Sequence, residues 1–353
     1  MNIVVNGHKV IEIVIITFLL SLLLVPLSKK IANHVGAMDM PNKRKVHDKP
    51  MPRLGGLAIY AAFLIGYIFY GEITTQMLSI LISTFIIVLL GLIDDINPVR
   101  ARYKFLVQIL CASIIVIYGQ IYFSNLSILG FNLYFNEFWS YFLSVFFIVS
   151  ITNAINLIDG LDGLAAGVSS IYFLTISIIA IVLNRIGGLD IILSIIMLGS
   201  TLGFLIHNFP PAKVFMGDIG STFLGFMIAI ISLLGFKITT LTSLVIPILI
   251  LALPILDTVF AIIRRLLKGK NIGAPDKEHF HHQLLKLKFS PKVSILIIYA
   301  ISILFSAISI LYVLGDNKQA TFIYIIISIM LLFVILKTNI LFEHNKSIKK
   351  KKS

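Results

Sequence analysis

Eleven apolar stretches alternate along the chain with short polar or Gly/Pro-rich breaks, each stretch close to the length a helix needs to cross a bilayer. They run over about residues 10–27, 54–70, 77–93, 104–121, 138–156, 164–183, 189–206, 221–236, 240–263, 293–314 and 321–342. None shows the period-two alternation of a membrane β-strand. The pattern predicts an all-α, polytopic integral membrane protein of about 11 transmembrane helices, forming one membrane domain over residues 1–353. The first stretch lacks a small-residue cleavage site and ten more follow it, so it is expected to stay as an anchor.

Composition sharpens this. Of 353 residues 58% are hydrophobic and 13% charged, with mean hydropathy +1.00. A soluble domain carries about 25% charged residues, so disorder, coiled coil and a water-soluble surface are excluded. The net charge is nevertheless +13, from 29 Lys+Arg against 16 Asp+Glu. In a membrane chain that excess marks the cytoplasmic loops, and no nucleic-acid partner is implied. With 28–53 placed in the cytoplasm, the inner segments hold seven basic residues in 28–53, three in 94–104, Lys213, eight in 264–292 and six from Lys337 to Lys352. Lys9, Arg185, Lys237 and Lys318 remain outside. The expected orientation is therefore an outside N-terminus and a cytoplasmic C-terminus, in the plasma membrane. The basic tail 343–353 either meets anionic lipid or acts only as a topology signal. Cys111, the single cysteine, sits in an apolar run and is expected to pack.

The polar residues are also one-sided. Acidic, His and Asn clusters fall on the side that carries the positive charge, whereas a transporter needs them near mid-membrane. This favours an enzyme at the cytoplasmic face. Asp94-Asp95 closes the third stretch, where two carboxylates at a helix end either bind a divalent cation or pair with Arg100, Arg102 or Lys104. Asn153-Ala-Ile-Asn156-Leu-Ile-Asp159-Gly-Leu-Asp162-Gly would stack Asn156, Asp159 and Asp162 if the helix continues, though two glycines allow a break. Phe215-Met-Gly-Asp218-Ile-Gly-Ser221 opens the eighth stretch. Its carboxylate and amides suit Mg²⁺ and phosphate, or simply cap a helix. The cytoplasmic loop 264–292 carries Arg264, Arg265, Lys268, Lys270 and Asp276-Lys-Glu-His279-Phe-His281-His282. Without a standard zinc spacing, this basic, His-rich loop better suits an anionic phosphate substrate. The loop 43–56 adds His47, Lys49 and Arg53 among Pro and Gly, as ligand contacts or as topology signal alone. Asp257 is expected to pair near Arg264 and Arg265 or to serve structure, outside the catalytic set.

Taken together, these segments resemble the polyprenyl-phosphate N-acetylhexosamine-1-phosphate transferases, of glycosyltransferase 4 type. The resemblance runs from His47 through His282 and includes His47…Pro52-x-x-Gly55-Gly56, Leu92-Ile-Asp94-Asp95, the 153–163 segment, Phe215-Met-Gly-Asp218-x-Gly-Ser and the His loop, in family order. It implies transfer of N-acetylglucosamine 1-phosphate from UDP-N-acetylglucosamine to undecaprenyl phosphate, releasing UMP and starting a cell-envelope glycan such as teichoic acid. It also implies Mg²⁺, with Mn²⁺ as the alternative cation. Carried over by motif, Asp218 resembles the metal ligand, and Asp94 and Asp95 the pair that positions or deprotonates the lipid phosphate or supports the metal. Asp159 and Asp162 join the catalytic set beside nucleotide and metal, with Asn153 and Asn156 in substrate binding. Phe215 is similar to the aromatic near uracil. His279 falls in the catalytic set, and His281 and His282 contact diphosphate and sugar. Lys104 faces the lipid phosphate, and Lys49 and Arg53 belong to substrate binding.

Phe280 breaks the run of three consecutive His typical of the muramyl-pentapeptide branch, so the loop is closer to the WecA/TagO-like branch. The phospho-N-acetylmuramoyl-pentapeptide reaction and, from another class, a polytopic transporter of an anionic or lipid-linked substrate stand as alternatives. A homodimer is left open.

Overall fold

The computed structural model describes residues 3–41, 50–128, 131–183, 186–236, 245–267, 269, 279–314, 322 and 326. Its helices are α1 (Val10–Val35), α2 (Gly55–Tyr70), α3 (Thr75–Ile96), α4 (Ala101–Ser113), α5 (Glu137–Ile158), α6 (Leu164–Val182), α7 (Leu189–Asn208), α8 (Gly217–Phe236), α9 (Val245–Ile250), α10 (Ala252–Leu267), α11 (Phe280–Lys286) and α12 (Pro291–Leu314). A π-helical turn, Ile114–Tyr118, extends α4. Eight helices among the described residues are long and apolar enough to cross a bilayer: α1, α3, α4 with its π turn, α5, α6, α7, α8 and α12. The chain is thus a mostly helical, polytopic membrane protein. α2 is as apolar but shorter, at 16 residues.

Two features depart from the sequence pattern. The stretch 240–263, described from Val245, is interrupted at Leu251: α9 ends at Ile250 and α10 starts at Ala252. Pro247 and Pro254 lie on either side of this join, and each removes a backbone N–H that a continuous helix needs. Three antiparallel ribbons also interrupt the all-α expectation: Val4–Val5 with His8–Lys9, Met38–Asp39 with Met51–Pro52, and Asn125–Ile128 with Phe131–Tyr134. The expected span 321–342 and the tail 343–353 lie outside the described residues, apart from Phe322 and Ile326.

α8 is the hub of the bundle, with Phe223, Leu224, Phe226 and Met227 all fully buried. Lipid offers helices no hydrophobic reason to associate, so close backbone contact between small residues does that work. A Cβ on Gly56 would stand 2.2 Å from the Gly220 nitrogen, and one on Gly91 would stand 2.6 Å from the Ile219 Cα. Those two contacts bring α2 and α3 against the first turn of α8. Opposite faces carry exposed apolar residues, such as Leu19, Leu23 and Leu27 on α1 and Phe138, Phe142 and Phe146 on α5. Water would not favour such faces; hydrocarbon does.

Candidate active site

The first turn of α8 organises the polar cluster. Ahead of it, residues 215–216 pair with the chain leading into α2: Phe215 N–H donates to Pro52 O (2.8 Å), Gly55 N–H to Phe215 O (3.0 Å) and Gly56 N–H to Met216 O (2.9 Å). Gly217 then turns the chain at φ +69°, and a Cβ there would meet Arg53 O at 2.1 Å. Only glycine fits both conditions. Helix N-termini leave backbone N–H groups unpaired, and here the cap comes from α3. Asp95 Oδ1 accepts from Asp218 N–H (3.0 Å) and Oδ2 from Ile219 N–H (3.1 Å). Arg53 Nη2 lies 3.1 Å from the same carboxylate, whose side chain is wholly buried. Asp95 therefore fastens α3, α8 and the Arg53 segment together. Asp218 and Ser221, the caps considered from sequence, do other work: Ser221 Oγ donates back to Gly217 O (3.0 Å).

With its backbone pinned, Asp218 turns its side chain to a different set of groups. Lys104 Nζ, from α4, bridges Asp218 Oδ2 (2.7 Å) and Asp94 Oδ2 (2.6 Å). Asp94 Oδ1 accepts from Val99 N–H (2.7 Å), fixing the α3–α4 turn. From α5, Asn156 Nδ2 reaches Ser221 Oγ (2.8 Å) and Asp218 Oδ1 (3.3 Å). Four elements thus deliver Asp94, Lys104, Asn156 and Asp218 to one point.

The 153–163 segment does not continue as a helix. α5 stops at Ile158, with Asp159 as its C-terminal cap. Asp159 keeps some solvent contact, yet burial, followed by the nearby charges of Asp218 and Asp95, pushes its carboxyl up to about 8. Because the helix ends, Asp162 does not stack on Asp159; its Oδ2 accepts from Ala212 N–H (2.9 Å) and braces the α7–α8 connection. Asn208, unremarked in the sequence, reinforces that connection: its Oδ1 accepts from Gly163 N–H (2.9 Å) and its Nδ2 donates to Val214 O (2.8 Å). Tyr299 OH donates to Gly163 O from α12. Asn153 bonds Gln108 Oε1 (2.6 Å) and Val149 O (2.8 Å), one turn before Asn156. Phe215 is half-buried beside Gly55.

The His loop reaches this region through α11. Asp257 on α10 accepts from His279 Nδ1 (2.9 Å) and from Phe280 N–H (2.8 Å). His281 packs over Gly160, where a Cβ would meet its Nε2 at 2.5 Å. That Nε2 is buried with no hydrogen-bond partner. Burial, then the neighbouring His282, pulls the His281 pKa down to about 3. His281 and His282 ring centroids are 4.2 Å apart. A small cleft opens here between Ile158, Leu164, Leu253, Asp257, Phe280 and His281. His47, Lys49 and residues 270–278 lie outside the described residues.

Among the described residues no group of three His, Cys, Asp or Glu is placed to hold a metal ion. The donors at Asp218 do suit Mg²⁺, which takes one or two carboxylates and completes its shell with water and substrate phosphates. Asp94 and Asp218 already converge on one cation, the Lys104 ammonium.

The family model for glycosyl transferase family 4 matches residues 77–236. That segment contains Asp94, Asp95, Lys104, Asn156 and Asp218. A Bacillus subtilis (strain 168) protein named "Probable undecaprenyl-phosphate N-acetylglucosaminyl 1-phosphate transferase" is 46% identical over 93% of this chain and 89% of its own length. The "Decaprenyl-phosphate N-acetylglucosaminephosphotransferase" of Mycobacterium tuberculosis is 35% identical over 77% of this chain and 74% of its own length. The "Undecaprenyl-phosphate alpha-N-acetylglucosaminyl 1-phosphate transferase" of Escherichia coli K12 is 29% identical over 83% of this chain and 81% of its own length.

Proposed function

The chain belongs to glycosyl transferase family 4, and we propose that it transfers N-acetylglucosamine 1-phosphate from UDP-N-acetylglucosamine to undecaprenyl phosphate. An oxygen of the lipid phosphate bonds to the sugar-linked phosphorus of the nucleotide, and the bond from that phosphorus to the UMP oxygen breaks. Products are the lipid-linked sugar diphosphate and UMP, the first step of an envelope glycan such as teichoic acid. The relatives' names support this reading, and one observation carries it at the level of chemistry: Lys104 held between Asp94 and Asp218 at 2.6 and 2.7 Å. A site that joins two anionic substrates must hold cations where the phosphates meet, because such transfer depends chiefly on positioning and charge stabilisation.

Asp218 and Asp94, with Asn156 beside them, are the residues that would hold Mg²⁺, with Mn²⁺ as its substitute. Bound there, the ion would offset charge on the diphosphate. Lys104, between these carboxylates, and Arg53, on Asp95, supply fixed positive charge. Asp159, with its raised pKa, is suited to hold a proton at the floor of the site. Asp162 and Asn208 keep the α7–α8 connection in place around them. The eleven-span reading rests on the apolar stretches, and the gathering of Lys and Arg on one side supports an outside N-terminus and a plasma-membrane site facing the cytoplasm.

The test is direct. Purified full-length protein with Mg²⁺, undecaprenyl phosphate and radiolabelled UDP-N-acetylglucosamine is expected to yield labelled lipid and stoichiometric UMP. Preference for UDP-N-acetylmuramoyl-pentapeptide in the same assay would move the protein to the other branch. No labelled lipid from either donor, with any divalent cation, would end the enzyme reading.

A further inference from the structure

Asp257 is the one carboxylate of α10, set within an apolar run where an ionisable side chain is costly unless partnered. It is buried, and both its oxygens accept hydrogen bonds from residues 22 and 23 positions further on: His279 Nδ1 at 2.9 Å and Phe280 N–H at 2.8 Å. A carboxylate only accepts, so the bond assigns the His279 proton to Nδ1. The second bond satisfies an N–H in the first turn of α11 and sets the angle at which that helix leaves the loop. The three histidines are not equivalent in this arrangement. His281 lies parallel to His279, with centroids 5.8 Å apart, but its ring packs on Gly160 and burial keeps it uncharged. His279, by contrast, is hydrogen-bonded to a carboxylate.

We propose that Asp257 is a positioning residue for the transfer reaction. It locks His279 in the Nδ1–H tautomer, leaving Nε2 as the acceptor that meets a substrate hydroxyl. This rests on the function proposed above. A partner that holds the far nitrogen of a functional imidazole acts through that ring, and its loss costs about 10-fold or more where such partners have been removed from metal sites.

Two measurements on full-length protein in nanodiscs test the assignment. In ¹⁵N-histidine-labelled protein, with His279→Gln used to identify the resonances, His279 is expected to show a protonated Nδ1 and an unprotonated Nε2. Asp257→Ala is expected to shift the ring toward the Nε2–H form. In the transfer assay, Asp257→Ala is expected to lower kcat about 10-fold, and Asp257→Ala/His279→Gln to be no slower than His279→Gln alone. A wild-type His279 protonated at Nε2, or losses that add in the double variant, would overturn the proposal. Where Asp257→Ala does not fold, Asp257→Asn serves, since one of the two accepting oxygens becomes an amide NH2 that only donates. Failure of the unmodified protein to transfer sugar phosphate would overturn the proposed reaction instead, and the tautomer measurement would still decide the role of Asp257.

Discussion

Lys104 Nζ sits 2.7 Å from Asp218 Oδ2, an ion pair formed across 114 positions of sequence and shared with Asp94. The ammonium occupies the point where a divalent cation would be drawn by the same two carboxylates. A metal ion held by these carboxylates would therefore have to displace or share with Lys104. Removing the ammonium while keeping the stem, as in Lys104→Met, is expected to lower the Mg²⁺ concentration at which the melting temperature begins to rise, because ligand stabilisation grows with affinity. The same variant is expected to lose about 10²-fold in turnover through loss of a fixed donor. An unchanged Mg²⁺ dependence of melting would show that the lysine and the metal do not compete.

Adjacent Asp94 and Asp95 have separable jobs. Asp95 holds the amides of Asp218 and Ile219 in the first turn of α8 and also Arg53, so Asp95→Ala leaves buried donors unpaired. Breaking a buried charge pair costs about 3 kcal/mol or more, and the variant is expected to melt markedly lower in detergent. Asp218→Asn keeps the backbone bonds to Asp95 and is expected to melt near the wild type while losing nearly all turnover. A stable Asp95→Ala, or an active Asp218→Asn, would reverse these assignments.

Eight spans could be read because each is a long apolar run, and the stretch whose helix is interrupted, 240–263, is punctuated by Pro247 and Pro254. The cluster of Asp94, Lys104, Asn156 and Asp218 was legible as motifs, but its division of labour was not. Neighbouring residues on a helix point about 100° apart, so Asp94 and Asp95 face different partners, and a sequence cannot say which. From sequence, Asp257 is expected to pair near Arg264 and Arg265 or to serve structure; a lone acid in an apolar helix needs a partner, and His279, 22 residues away, is one that the apolar pattern does not point to. Asn208 and Gln108 look ordinary in sequence because their importance lies in backbone and amide groups brought close only by folding.

The contact between α2 and α8 leaves no room for a methyl group. A Cβ on Gly56 would lie 2.2 Å from Gly220 N and 2.4 Å from Gly220 Cα, both backbone atoms that cannot move independently of α8. Gly56→Ala is expected to destabilise by about 1–3 kcal/mol through overpacking and to shift the first turn of α8 with its site residues. Gly187→Ala, where nothing lies within 4 Å of the added atom, is the control and is expected to melt as the wild type does. Equal melting of the two variants would remove this contact from the account of how the site is built.

Asp159 links stability to pH with a sign opposite to that of an ordinary ion-paired carboxylate. Its pKa is about 8 in the folded protein against 3.8 for an unperturbed group. Between those values the folded state keeps a proton that the unfolded state has released, so stability falls as pH rises through this window. Below it both states are protonated and the contribution is absent; above it the penalty is complete. Asn resembles the protonated carboxyl, so Asp159→Asn is expected to gain in melting temperature over the wild type as pH goes from about 6 to about 9. The comparison is made in EDTA, which keeps divalent cations from supplying the missing positive charge. A gap between the two proteins that stays constant across that range would mean Asp159 is already ionised in the folded state, and its proton-holding part in the site would be withdrawn.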